Sequence, residues 1–369
     1  MILLDVLTYS YKKLLIISSS LVVFSFIGLR YKLGVDWQFY YDIFYGVKSE
    51  LTIEPGYQVV SWISSNLLNF WVFVSLITLL SIFSISRFAY RFSPYPVLVF
   101  GCYFIISFGF NVEALRQIIA VAFFYLGLYK YFKNRKHFFY LYCIVGSFFH
   151  ISLLPLVFIT LFFNDLFLKF GGKLFLLGVF LAIFHIYPVK EIIELFNSLI
   201  GGPYLAKLNW YALQGAENNT LTFNMMFKVL IYGYFYYNRG KIMSYCVERN
   251  LSDKFIKCLH AMYLVMLLLN VYFLPFGTIV SRYDEYFILV MLICFSYSLK
   301  VNSFYTNRVI IGTVFTALIS VIFIRFMTND YFRAQYVPYA NSIYQLLTAS
   351  TDDAARAKAV YLHWKQSNQ

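Results

Sequence analysis

Arginine is a poor residue to leave beside hydrocarbon, yet Arg30, Arg116 and Arg282 each fall at the lip of a long apolar run. A cation in or near a membrane faces a bundle interior or a watery cavity, because contact with lipid is costly. The guanidinium fork also matches the oxygens of phosphate and carboxylate. Arginines at the ends of apolar runs therefore point to an anionic ligand met at a membrane face.

The residues around each arginine add to that chemistry. After Arg30 come Gly34, Asp36-Trp37, Tyr40-Tyr41-Asp42 and then Glu54-Pro55-Gly56-Tyr57. Aromatic faces stack on sugar rings, and carboxylates accept from hydroxyls. Pro-Gly marks a turn, and an amphipathic stretch runs from it to about Leu68. An interfacial belt with solvated acids would use the same residue types.

The second arginine sits in Asn111-Val112-Glu113-Ala114-Leu115-Arg116-Gln117. At i, i+3 and i+4, Glu113, Arg116 and Gln117 would share one helical face. Arg116 falls in a helix's first turn, where the dipole disfavours a cation but favours an anionic ligand. The plainer alternative is an internal Glu113–Arg116 pair.

His150, within Phe148-Phe149-His150-Ile151-Ser152, is a candidate base or a hydrogen-bonded core residue. Ser281-Arg282-Tyr283-Asp284-Glu285-Tyr286 opens another apolar helix. There the dipole explains the acids but not Arg282. Arg325 and Arg333 flank a further helix end, where a long cationic side chain can snorkel.

Composition sets the frame for these residues. Hydrophobic residues make up 61% and charged residues 13%, and the mean hydropathy is +0.68. Such a chain is a polytopic membrane protein and not a soluble domain. Cys102, Cys143, Cys246, Cys258 and Cys294 show no CxxC spacing and lie mostly in apolar runs. They are packing residues, with no metal framework expected. His150 has no second histidine at ligand spacing, so no zinc site is expected, and no Walker or Rossmann glycine pattern suggests a soluble nucleotide cofactor. Lys12 and Lys13 precede an apolar run with no small-x-small site after it, which suggests an uncleaved first helix.

Apolar runs at 14–29, 68–86, 95–110, 115–132, 138–149, 151–163, 174–188, 223–238, 256–274, 283–299 and 309–326 give about eleven spans, some short or broken. The run from 138 to 163 is divided at His150; a single kinked helix there would invert everything downstream. With the break, basic residues such as Arg87, Arg91, Lys130, Lys133, Lys169, Lys173, Arg249 and Lys257 collect on the cytoplasmic side. Acids collect outside: Asp36, Asp42, Glu50, Glu54, Glu113, Glu191, Glu194, Glu217, Asp284, Glu285, Asp330, Asp352 and Asp353. The formal charge of +13 is thus mostly a topology signal and not one for nucleic acid. Two outer loops are long, about 30–67 and 189–222, and the inner loops are short, which puts the machinery on the outer side. The expected organisation is one membrane domain over 1–350 and a polar tail over 351–369.

Taken in order, Arg30, Gly34-x-Asp36-Trp37, Glu54-Pro55-Gly56-Tyr57, Leu115-Arg116-Gln117, Phe149-His150-Ile151-Ser152 and Arg282-Tyr283 resemble the EpsG-like branch of the Wzy-type O-antigen and exopolysaccharide polymerases. The resemblance covers about residues 1–330. It implies an all-α, GT-C-like bundle in the bacterial inner membrane, with long periplasmic loops. The implied reaction moves a growing glycan from undecaprenyl diphosphate onto a lipid-linked repeat unit, without a metal. Donor and acceptor lipids, the bilayer and a chain-length regulator are the implied partners. By resemblance Arg116 and Arg282 take the diphosphates, with Arg30 beside them. His150, Asp36 and Glu113 compete for the role of base. Trp37, Glu54, Tyr57, Gln117 and Tyr283 would line the substrate site. A lipid-linked oligosaccharide flippase and an O-antigen ligase-like transferase remain as alternatives. The first would want charges near the midplane and internal repeats. The second differs in its product.

Overall fold

The computed structural model describes residues 11–47, 53–199, 223–248, 251–329, 333 and 335–348. Parts of both long loops (48–52 and 200–222) lie outside these residues. So do Glu50, Glu217, Arg249, Asp330 and the tail over 351–369 with Asp352 and Asp353. The described chain is all-α: no strand forms among these residues, and one isolated antiparallel bridge joins Arg30 to Asn341. It gathers into two compact units. The first holds the chain up to Leu154 and again from Phe304, and the second holds Pro155–Ser303.

The first unit opens with α1 (Lys12–Val23), which widens into a π-helical turn over Phe24–Gly28. There follow α2 (Trp37–Phe44), α3 (Pro55–Ser65), α4 (Phe70–Phe92), α5 (Pro96–Ile106), α6 (Phe108–Glu113), α7 (Leu115–Tyr131) and α8 (Lys136–Ser147). Asn69 caps α4 by accepting from the Val72 N–H at 2.9 Å, which satisfies one of the donors a helix start leaves open. The aromatic side chains of α2, α3 and α4 form a shared core that includes Tyr40, Phe44, Tyr57, Phe70 and Phe73.

The expected break at His150 is present. α8 stops at Ser147, and His150 is extended (φ −156°, ψ 121°). The stretch after it departs from expectation, because 3₁₀ turns over Ile151–Leu153 and Pro155–Phe162 replace a second α-helical arm. Pro155 supplies no N–H, and its ring clashes with the carbonyl four residues back, so an α-helical ladder cannot run through it.

The second unit continues with α9 (Asp165–Ile183), α10 (Pro188–Leu199), α11 (Phe223–Tyr237), α12 (Arg239–Glu248), α13 (Asp253–Tyr272) and α14 (Gly277–Lys300). α9 begins ahead of the apolar run expected from 174, because the Asn164 side chain accepts from the Phe167 N–H at 2.8 Å and starts the helix there. Lys169 and Lys173, expected in a loop, therefore lie on α9. α9 and α13 run side by side in one direction. Asp165 pairs with Lys257 at 2.7 Å near their starts, and the Tyr272 hydroxyl donates to the Leu174 carbonyl at 3.0 Å further along. α10 is amphipathic, with Ile192, Leu195, Phe196 and Leu199 exposed on one face and a Lys190–Glu194 pair elsewhere on its surface.

α15 (Tyr305–Thr328) and α16 (Ser342–Thr348) return to the first unit. The rings of Phe108 and Phe323 meet at 5.3 Å, and the Ser342 N–H donates to the Leu29 carbonyl at 2.7 Å. Among the described residues α4, α9, α13 and α15 are long and apolar enough to cross a membrane. Only 22% of the apolar window of α9 and 17% of that of α15 is buried. Faces so apolar and so exposed suit lipid.

One buried polar cluster organises the second unit. Lys228 on α11 pairs with Asp284 on α14 and donates to Asn270 Oδ1 on α13 at 2.8 Å. Asn270 in turn donates to Asp284 Oδ1 at 2.7 Å, and the Tyr263 hydroxyl donates to the Lys228 carbonyl at 2.8 Å. Removing one partner of a buried pair strands the other charge. Lys228→Met should therefore cost about 3–5 kcal/mol. Lys228→Met combined with Asp284→Leu should recover most of it, since Asn270 keeps the Met266 carbonyl as a partner. Thermal unfolding followed by fluorescence-detected gel filtration measures both variants. Equal losses in the single and double variants would show that the stranded charge is not the cause.

Candidate active site

The site in the first unit is built by turns. Pro55 stands at the first position of α3, where its missing N–H and fixed φ suit a helix start. Gly56 then comes against the end of α8. Its N–H donates to the Phe148 carbonyl at 2.9 Å, and a Cβ there would lie 2.7 Å from that oxygen. Only glycine permits this approach. The contact fixes Glu54, just before the helix, and turns Tyr57 into the core, where it is fully buried beside Tyr40 and Phe73.

Glu54 joins two other elements. Its Oε2 pairs with Arg116 Nη1 at 2.5 Å, and its Oε1 accepts from the Ile151 N–H at 3.3 Å. Arg116 stands in the first turn of α7, as expected, and its guanidinium carbon lies 5.9 Å from the centre of the Tyr40 ring. The Arg116 and Glu54 side chains are 20% and 15% exposed, so a solute can reach a pair that water screens only partly. Buried Arg116 Nε and the Tyr57 hydroxyl have no hydrogen-bond partner among the described residues. Burial pushes the Tyr57 phenol well above its ordinary pKa, so it is a donor in wait of an acceptor.

The expected helical face of Glu113, Arg116 and Gln117 is not continuous. Ala114 (φ −87°, ψ 56°) separates α6 from α7, and Glu113 turns away from Arg116. Glu113 Oε1 accepts from the Tyr336 hydroxyl at 2.5 Å and from the Val35 N–H at 3.4 Å. Gly34, at φ +84°, makes room for it, because a Cβ would come within 2.9 Å of Glu113 Cγ. Burial raises the Glu113 pKa, and the negative charge of Asp36 adds to that rise. Gln117 lies in the core of α7.

Arg30 has a different place from the one its sequence position suggested. It is buried, with Nη1 donating to the Ile27 carbonyl at 2.6 Å and to Thr78 Oγ1 at 3.2 Å, and Nη2 donating to the Val112 carbonyl at 2.9 Å. Burial lowers its pKa to about 10, which leaves it a cation at neutral pH. Trp37 is buried beside Trp71 and Tyr41, and its Nε1 has no partner among the described residues. Lys32 Nζ lies over both the Trp37 and Tyr31 rings, at 5.3 and 5.2 Å.

His150 Nδ1 lies 3.3 Å from the Ser152 N–H and 2.6 Å from its hydroxyl. A backbone N–H can only donate, so Nδ1 accepts and the ring proton sits on Nε2. The lone pair that would serve a base is thereby engaged as a cap. Arg282 and Tyr283 belong to the second unit. α14 starts at Gly277, so Arg282 stands beyond the first turn, where the expected dipole argument no longer applies. Arg282 is exposed, Tyr283 is half-buried and Asp284 is held by Lys228 and Asn270.

Tyr336 went unforeseen because it lies far along the chain from Glu113. Lys228 and Asn270 did carry a signal, as polar residues inside apolar runs. Among the described residues no three of His, Cys, Asp or Glu converge as a metal-binding group would need.

The EpsG family model matches residues 13–341. The chain belongs to the EpsG family. The first unit's candidate site residues, from Arg30 to Tyr336, lie within the match. No curated protein and no solved structure matches the chain. Membership makes it a membrane protein of the exopolysaccharide- or O-antigen-polymerase-like kind.

Arg30 and Arg116 should separate by experiment. Arg30→Lys loses the geometry that serves two carbonyls and a hydroxyl at once, and an unsatisfied buried polar group costs about 1–3 kcal/mol. It should lower the yield and melting temperature of solubilised protein, whereas Arg116→Lys should leave both near those of the parent. Thermal gel filtration of the two variants side by side checks this. Equal stability would remove the structural role given to Arg30.

Proposed function

We propose that this EpsG-family protein is a polysaccharide polymerase of the bacterial inner membrane. It transfers a growing glycan from undecaprenyl diphosphate to a lipid-linked repeat unit at the periplasmic face. The observation that carries the proposal is the partly exposed Arg116–Glu54 pair at the start of α7, with Arg116 Nε still lacking a partner. An arginine at a helix N-terminus, with its side chain partly exposed beside Glu54, is suited to an anion.

The chemistry follows from those positions. The acceptor hydroxyl oxygen bonds to the anomeric carbon of the donor sugar, and the bond from that carbon to the diphosphate oxygen breaks. Negative charge grows on the departing undecaprenyl diphosphate. Arg116 stabilises it in a partly desolvated setting, where a fixed cation is worth more than in water. The acceptor proton goes to a carboxylate. Glu113 and Asp36 are the carboxylates of the first unit put forward for it, and burial raises the proton affinity of Glu113. His150 offers its Nε2–H to a substrate oxygen while Nδ1 remains the cap.

The buried Lys228–Asp284–Asn270 cluster favours a second reading as a lipid-linked oligosaccharide transporter, since such proteins keep charges inside the membrane. Product separates the two. Purified protein given lipid-linked repeat units should yield a ladder of lengths, Arg116→Lys should abolish most of it, and EDTA should leave it unchanged. Movement of lipid without a ladder would favour the transporter. A reaction stopped by EDTA and restored by magnesium would replace the arginine mechanism with a metal one.

Orientation has its own test. The native cysteines are all buried, so an introduced one reports cleanly. Asn66→Cys, just after α3, should react with an impermeant thiol reagent in spheroplasts. Asn134→Cys, in the α7–α8 turn, should react only after permeabilisation. The reverse pattern would invert the topology.

A further inference from the structure

The end of α9 fixes where the chain goes next. His185 takes the left-handed conformation (φ +56°), and its N–H donates to the Ala182 carbonyl at 3.1 Å. The Ile186 N–H donates back to the Leu181 carbonyl at 2.9 Å. These two bonds close the last helical turn and satisfy carbonyls that a helix end leaves open. Pro188 opens α10 two residues later, where its fixed φ suits a helix start. α10 is thereby tied to the end of a helix long and apolar enough to cross a membrane.

The twelve residues of α10 rise about 18 Å, too little to cross a hydrocarbon layer of roughly 30 Å. They are divided lengthwise into two faces. Ile192, Leu195, Phe196 and Leu199 recur at i, i+3, i+4 and i+7, and all four are exposed. Lys190, Glu194, Asn197 and Ser198 lie on the opposite side of the helix. No residue of α10 is buried. The apolar stripe does not stand alone. Phe180 and Ile183 on α9, and Phe184 and Ile186 in the turn, are exposed as well. Uncovered apolar side chains thus follow the chain from the candidate span, through the turn, onto α10.

We propose that α10 is an interfacial helix, lying along the membrane surface with its apolar stripe in the lipid. The bilayer is favoured over a protein partner because the stripe continues the exposed apolar face of α9, only 22% of whose apolar window is buried. A helix tied to the end of such a span starts at the lipid surface, and a one-sided apolar stripe is what that surface takes up. α10 carries one lysine and two glutamates, so anionic headgroups do not attract it. Its insertion rests on apolar area alone. The inference needs only the membrane character of the chain and stands whichever reaction the protein carries out. It makes the first part of the second long loop a membrane-bound element and not a solvated one.

The test uses the purified full chain in phosphatidylglycerol nanodiscs, spin-labelled at one introduced cysteine. The native cysteines are buried, and the four chosen positions are exposed, so the substitutions are mild. Labels at Ile192→Cys and Phe196→Cys should be relaxed more by oxygen, which partitions into lipid. Labels at Glu194→Cys and Ser198→Cys should be relaxed more by a water-soluble nickel complex. The depth read from the first pair should fall about 5–10 Å into the boundary between headgroups and acyl chains. Phosphatidylcholine nanodiscs should give the same pattern. Four labels all reached by the nickel complex would place α10 in water and overturn the proposal. Four labels all dominated by oxygen would place it inside the hydrocarbon and do the same. Labels at Ile192→Cys and Phe196→Cys that are immobile and shielded from both reagents would show that protein covers the stripe, whether a second copy or another part of this chain. A pattern lost in phosphatidylcholine would overturn insertion by apolar area alone.

Discussion

Backbone carbonyls that lose their helical partners inside a membrane must find another donor, and the first unit is organised around meeting that need. Where α1 widens into a π turn, the Ile27 and Gly28 carbonyls are taken by Arg30 and by the Ser75 hydroxyl, the latter at 2.6 Å. Because the Arg30 fork also reaches Thr78 on α4 and the Val112 carbonyl on α6, one side chain ties three segments together. The backbone beside it bridges to Asn341, so the end of the described chain is fastened to the same point. A cation at the end of a helix is electrostatically at home there, which explains an arginine at the lip of an apolar run without any ligand.

From that anchor the candidate site follows by contact. The segment after Arg30 carries Gly34 and Asp36 to Glu113, and α3 is set by Gly56 against the end of α8. Glu54 is the meeting point, holding Arg116 with one oxygen and the His150–Ile151 corner with the other. The site is therefore made at helix ends and turns. There the backbone offers its own unpaired groups, and small movements of chain are cheapest.

What could be read in the sequence was whatever depends on a single stretch of chain. The all-α, apolar character, the helix start near Tyr57, the first-turn position of Arg116 and the break at His150 are all local, and all stand in the structure, although Pro55-Gly56 opens α3 where a turn was expected. The second arm after His150 was missed because Pro155 acts on the ladder more strongly than apolar content suggests. The start of α9 moved because a capping asparagine outweighs hydropathy. The roles of Arg30 and Glu113 depended on partners tens to hundreds of residues away, Thr78 and Tyr336. The break at Ala114 could not be read from Glu-x-x-Arg spacing, which fits a continuous helix equally well.

The shortness of α8 has a further meaning for the lipid around it. Its twelve residues rise about 18 Å, against a hydrocarbon layer of roughly 30 Å. A bilayer meets such an element by thinning, by letting water and headgroups sink inward, or by both. Were α8 to span, as the polymerase proposal has it, such a dent would fall where it ends, at the Phe148 carbonyl that holds Gly56. A diphosphate and its sugars would then travel to the arginine through a shallow aqueous basin in the membrane surface, while their lipid anchor stays in oil. The thickness of the host membrane would then become a tuning variable for the proposed polymerase, set by lipid composition and independent of any residue in the site.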